Sequence, residues 1–240
     1  HLMDATPMTL GQEASGWAAS LEDCADRLAL APRELLALGI GGTAVGTGLN
    51  AHPRYRAGMI AELRRITGQP VTGARNLFSA MQSLAPFAAV SGALRVAAIE
   101  LLRITGDLRL LGSGPNTGLA ELSLPAVQPG SSIMPGKVNP SMAEMVAMVS
   151  YQIIGLDTAI AAAASAGQLE LNVMMPVVAF DLCHALTIAA NAVRQFELKC
   201  ARGLEANALR CASYAARTVS LATVLAPRIG YAAAAEIVKE

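Results

Sequence analysis

The chain has 240 residues, 53% hydrophobic, 15% charged and 4% aromatic, and its 18 Lys and Arg balance 18 Asp and Glu. So apolar a composition excludes a disordered polymer, and zero net charge lacks the basic footprint of a nucleic-acid binder and offers anionic lipid nothing to attract it. The apolar share is dominated by Ala and Leu, which favours helix over strand.

Residues 8–37 read as one helix, with Thr9 as N-cap and Gln12 completing a capping box. Pro32 interrupts it and should kink it or start a new turn. Gly39, Gly41, Gly42, Gly46 and Gly48 make a poor isolated helix, tolerable only where neighbouring helices pack closely. His52 and Pro53 open the next segment, and 53–67 reads as a helix ending at Gly68. The stretches 35–53 and 76–94 carry no charge, yet neither is the continuous apolar run of about 20 residues that a bilayer span requires. Buried helices of a bundle are expected for both, and no membrane partner.

From 76 to 111 apolar residues recur every three or four positions, through Leu77, Met81, Leu84, Phe87, Val90, Leu94, Ala98, Leu101, Ile104, Leu108 and Leu111. Gly112-Ser113-Gly114-Pro115 ends that helix, and the Gly- and Pro-rich stretch to 140 reads as a long structured loop. A long loop inside a helical domain is usually functional. Helical patterns resume at 141–164, 173–201 and 205–225, with a turn at 227–230 before the last. There is no internal repeat and no convincing run of strands, so the expected fold is all-α.

Cys24, Cys183, Cys200 and Cys211 form no CxxC pair and read as small apolar side chains in a reducing compartment, the cytoplasm. The sequence starts on His with no positive charge in its first ten residues, so no signal peptide is expected. It ends inside an Ala-rich helical run, and the expectation is a piece of a longer polypeptide. The string Gly46-Thr47-Gly48-Leu49-Asn50-Ala51 has the spacing of a dinucleotide loop. No strand pattern precedes it and Pro53 follows, so no such cofactor is expected. His52 and His184 read as ordinary loop or helix residues, and no metal site is expected.

The segment carrying chemistry is Pro129-Gly130-Ser131-Ser132-Ile133-Met134-Pro135-Gly136-Lys137-Val138-Asn139-Pro140. Its glycines let backbone N–H groups converge as in an anion-binding nest. Lys137 adds charge, Asn139 amide donors, and Ser131 and Ser132 hydroxyls. Such a set can hold a carboxylate and stabilise negative charge as it develops. The same composition also suits a plain connector.

Gly130 to Pro140 closely resembles the signature of the fumarase/aspartase superfamily. His1 to Glu13, Gly41 to Asn50 and Gly167 to Val173 resemble further family segments, in family order along nearly the whole chain. The resemblance implies a homotetramer around a central bundle of long helices, with active sites shared among three subunits. It implies elimination of a group β to a carboxylate of a small dicarboxylate, with no cofactor. It places 1–203 in the central domain and 204–240 at the start of a small C-terminal helical domain. An N-terminal domain with a Ser/Thr/Asn-rich substrate segment would lie outside this sequence.

By that resemblance Ser131 is the base, and Ser132, Lys137, Val138 and Asn139 bind substrate. Removing the proton beside a carboxylate leaves an aci-carboxylate with a second negative charge. Each well-placed donor to such a charge is worth about 3–4 kcal/mol. On chemistry alone His1 ranks above Ser131 as base, because a serine hydroxyl is a very weak acid. The loop N–H groups and Lys137 are the only local means of stabilising its alkoxide. His1 matches the family His beside the leaving group, and Glu144 its acidic partner, which favours the imidazolium. A Glu in the first turn of a helix also suits the helix dipole. Glu170 and Asn172 read as structural hydrogen-bonding groups at a helix start.

Leu10 to Glu13, Ser15-Gly16-Trp17, Gly41 to Ala44, His52-Pro53 and Ile229-Gly230-Tyr231 lean to the class II fumarase branch. Leu124 to Gln128 and Gly167 to Glu170 lean to the aspartase branch, and Met175 fits neither. The reading is fumarate hydratase, with aspartate ammonia-lyase as the alternative. A catalytically inactive structural fragment or relative is the reading from another class.

Overall fold

The computed structural model describes residues 1–239. Helix α1 spans Leu10–Leu30 and opens on the expected capping box. The N–H of Gln12 donates to Thr9 Oγ1 at 3.2 Å, and the N–H of Thr9 donates to Gln12 Oε1 at 2.9 Å. The helix does not run on to 37. Pro32 brings no N–H, and the chain tightens into a 3₁₀ turn over Ala31–Leu35.

Residues 35–53 are not the buried helix expected of them. Ala37–Leu38 (β1) pairs in parallel with Thr72–Gly73 (β2), and turns follow. Gly41 and Gly46 take φ of +85° and +105°, which a helix cannot use. A Cβ on Gly46 would come within 2.7 Å of the Phe78 nitrogen, so this glycine serves close packing against the start of the helix Leu77–Gln82. Helix α2 (Tyr55–Thr67) ends at Gly68, left-handed at φ 67°, where the sequence placed its end.

The apolar period of 76–111 is real, but it covers two helices. Asn76 caps α3 (Leu77–Gln82), and α4 (Ala85–Leu111) restarts with Pro86 in its first turn, the position proline tolerates best. Helices α5 (Ser141–Ser165) and α6 (Met175–Lys199) complete the bundle.

Three apolar layers fix the order along the bundle. At one end Leu84 and Val90 meet Ile160, Val178 and Leu182. In the middle Leu94 and Ala98 meet Ile153 and Ala185. At the other end Ile104 and Leu108 meet Val146, Phe196 and Trp17. The sequence of these layers makes α1, α4, α5 and α6 alternate in direction. The end of α4, the start of α5 and the end of α6 therefore lie together. Between α4 and α5, Ser91 Oγ donates to the buried Asp157 at 2.6 Å, and Arg95 pairs with the other Asp157 oxygen at 3.0 Å.

The stretch 205–225 is not one helix. Glu205–Ala206 (β4) pairs antiparallel with Leu122–Ser123 (β3). Helix α7 (Ala208–Arg217) follows, capped by Asn207, then a 3₁₀ turn over Val219–Val224. Thr218 takes extended backbone between them and breaks the run. The turn expected at 227–230 is the short α8 (Ala226–Ile229), stopped by Gly230 at φ 88° before α9 (Tyr231–Lys239). The four strands have two residues each and act as clips, so the architecture is the all-α bundle read from sequence.

Three helical segments, Ala85–Leu111, Ser141–Ser165 and Met175–Gly203, are long and apolar enough to cross a bilayer by length and composition. Each buries one side against its neighbours and leaves large apolar groups outside, among them Met148, Tyr151 and Phe180.

Candidate active site

The signature loop joins the end of the bundle to the start of α5. Its neck is closed by two bonds. The Gly130 N–H donates to the Lys137 carbonyl at 2.8 Å, and Asn139 Nδ2 donates to the Gly130 carbonyl at 3.1 Å. A Cβ on Gly130 would sit 2.6 Å from the Lys137 oxygen and 2.9 Å from the Asn139 nitrogen, so only glycine fits that neck. The neck is tied to α5 by the Ser141 N–H, which donates to the Asn139 carbonyl at 2.8 Å, and by Gln128 Nε2, which donates to Ser141 Oγ at 3.2 Å.

Inside the loop, Ser131 Oγ accepts the N–H of Ile133 at 3.2 Å and of Met134 at 3.0 Å. Ser131 is half-buried, as is Asn139, while Ser132, Lys137 and Val138 are exposed. Among the described residues no carboxylate lies within ion-pair distance of Lys137. The same loop therefore carries an exposed cation, unpaired among the described residues, and a hydroxyl whose oxygen already receives two backbone donors.

Glu144 stands in the first turn of α5. Its Oε1 lies 3.7 Å from the guanidinium of Arg109, in the last turn of α4. His1 is exposed at the start of the chain, and no ion pair joins it to Glu144 among the described residues. One chain thus gathers Ser131, Ser132, Lys137, Val138 and Asn139 on one loop with Glu144 just after it, and does not bring His1 to them by an ion pair. Arg109 escaped the sequence reading. It lies far from Glu144 in sequence, and only the antiparallel packing of α4 on α5 brings the two together.

Asn172 is fully buried and structural, as read from sequence. Its Nδ2 donates to the carbonyls of Ala163 at 3.0 Å and Ala164 at 3.2 Å, and its Oδ1 accepts the Met174 N–H at 2.8 Å. It adds a side-chain donor to the last carbonyls of α5, of which Ala163 also accepts the Ala166 N–H, and it opens α6. Glu170 is exposed, and Met175 is the exposed first residue of α6.

The other candidates supply no chemistry of their own. His52 Nδ1 accepts the Arg54 N–H at 3.2 Å, and His184 stacks on Phe180. All four cysteines are free, and burial pushes the thiols of Cys24, Cys200 and Cys211 up, away from the reactive thiolate. Among the described residues no three His, Cys, Asp or Glu side chains cluster as a metal site. A cleft of 1050 Å³ between residues 4–13, the end of α4 and α7 is lined by Glu13, Asp107 and Tyr214 and by none of the candidate site residues.

Residues 1–155 match the sequence family described as "Lyase", and the chain belongs to that family. Its relatives within it carry the names of fumarases and aspartases, the superfamily that the loop resembles. The chain is 45% identical over 240 residues to the aspartate ammonia-lyase of Bacillus subtilis (strain 168), covering all of this chain and 50% of that protein. It is 47% identical over 239 residues to a fumarate hydratase class II of Bradyrhizobium diazoefficiens, again covering 100% of this chain and 50% of the relative. The crystal structure of recombinant class II fumarase from Schistosoma mansoni matches with a TM-score of 0.97 at 38% identity, over 100% of this chain and 53% of that one. The chain spans about half the length of the curated relatives it matches.

Proposed function

We propose that this chain carries the central bundle and the signature loop of an enzyme that eliminates a group β to a carboxylate and releases fumarate. The favoured reaction is the reversible hydration of fumarate to (S)-malate. The observation that carries the reading is the Ser131 hydroxyl, whose oxygen accepts the N–H groups of Ile133 and Met134. Donors already aimed at an oxygen stabilise negative charge there without reorganising, which is what a serine alkoxide requires.

In this mechanism Ser131 takes the proton from the carbon beside one carboxylate. Lys137, with Ser132, Val138 and Asn139, steadies the aci-carboxylate that results. Asn139 has one amide hydrogen engaged with Gly130 and its second is available to substrate. His1 of another copy, partnered by Glu144, gives a proton to the departing hydroxyl. The site is shared among copies in a homotetramer, and the exposed apolar sides of α4, α5 and α6 support that assembly. A helix apolar on several sides is normally buried. Residues 204–240 begin a separate small domain on this reading, and the enzyme works in the cytoplasm.

Ammonia release from aspartate is the second reading, supported by the near-equal identity to an aspartate ammonia-lyase. The test is an assay of the longest gene product containing this chain, with malate and aspartate side by side. Fumarate from malate alone supports the hydratase, and fumarate from aspartate alone the ammonia-lyase. Fumarate from neither, in a folded protein, overturns the reading.

A further inference from the structure

We propose that Arg109 is a positioning residue of this same site, holding the Glu144 carboxylate in the pose from which it meets the imidazole of His1 from another copy. The inference rests on the elimination reading above. Arg109 closes the last turn of α4 and Glu144 opens α5. Each sits beside a residue locked in the core: Leu108 is 1% exposed and Ala143 0%. Both backbones are therefore anchored beside buried side chains, and the pair is set on helices rather than on the loop.

The two side chains are 48% and 40% exposed, and an ion pair so open to water contributes little to stability. Its effect is on geometry. A free glutamate in the first turn of a helix samples several rotamers, whereas a guanidinium 3.7 Å from Oε1, an ion-pair contact rather than a hydrogen bond, biases the choice among them. Arg109 is the one cation within ion-pair distance of Glu144 among the described residues. Its place at the bundle end, next to the loop, fits a role in the reaction better than a role in holding α4 to α5. That second task is done by Ile104, Leu108 and Val146.

The experiment compares R109M, R109K, E144Q and R109M/E144Q in the complete gene product, by steady-state kinetics on the substrate it turns over and by thermal midpoint. Misplacing a catalytic group costs about 10- to 100-fold, so R109M should lower kcat by that factor and leave KM within about threefold. R109K should restore most of the loss. The double variant should be no slower than E144Q alone, because Arg109 acts only through Glu144. R109Q serves as the neutral variant should R109M lower the midpoint. A rise in KM at constant kcat would make Arg109 a substrate ligand and overturn the proposal. Additive losses in the double variant, or an unchanged kcat in R109M, would overturn it too. If E144Q turns over normally while Ser131→Ala is inactive, this inference falls and the elimination reading stands. If neither changes turnover, both fall.

Discussion

Ser131 Oγ accepts the backbone N–H of Met134 at 3.0 Å, and the carbonyl of the same Met134 accepts the N–H of Lys137 at 3.3 Å. Met134 thereby couples the hydroxyl to the backbone that carries the loop's cation.

Replacing Lys137 with Met should leave folding nearly intact, since the exposed side chain makes no ion pair among the described residues. Turnover should fall by about 10²–10³, the usual effect of losing one electrostatic donor to a developing anion. Steady-state rates on malate and aspartate check this. A change within about twofold would remove Lys137 from the site.

Gly130→Ala should open the neck. The new methyl carbon would sit 2.6 Å from the Lys137 carbonyl, closer than packed atoms allow. The loop is peripheral to the apolar layers, so the thermal midpoint should fall by only a few degrees, in line with a loss of about 1 kcal/mol. Turnover should drop by about 10²-fold, as displaced catalytic groups do. Loss of the fold with no separate loss of specific activity would contradict the local role of that neck.

Asn172→Ala should act in the opposite sense, on stability before chemistry. It removes the side-chain donor to the Ala164 carbonyl and the acceptor of the Met174 N–H and leaves a void at a fully buried residue, while the Ala163 carbonyl keeps the Ala166 N–H. The expected cost is about 1–3 kcal/mol, from the hydrogen bonds lost at that buried position. Urea unfolding of the variant beside the parent measures it, and a cost under about 0.5 kcal/mol would contradict the structural assignment.

The exposed apolar sides of the three long helices predict that the complete gene product is a tetramer in solution. Sedimentation or light scattering gives the mass directly. An active monomer would contradict the shared-site account.

Much of the fold was legible because local chemistry decides it. Thr9 and Gln12 cap α1 as their types dictate, and Gly68 ends α2 because only a residue tolerant of positive φ closes it well. The break between α3 and α4 was hidden because Leu84, in the gap, stays apolar and in phase; Pro86 was the signal that mattered. Residues 35–53 misled through their lack of charge, while the glycines there serve left-handed turns and close packing. The two-residue strands are too short to show a period of two. At the site, the loop's residue types could be read from the sequence, but the bond from Met134 to Ser131 and the pairing of Arg109 with Glu144 could not. The first depends on how a turn closes, and the second on which helix ends meet.

The most direct test of the account is exchange of the carbon-bound proton. An aci-carboxylate can form and revert without loss of the leaving group, so proton removal is measurable apart from turnover. Deuterium incorporation into malate or aspartate from D₂O should be followed in the complete gene product and in its Ser131→Ala and Glu144→Gln variants. The account predicts that Ser131→Ala abolishes both exchange and turnover, while Glu144→Gln slows release of water or ammonia and retains part of the exchange. Undiminished exchange in Ser131→Ala would contradict the serine base and return that role to His1.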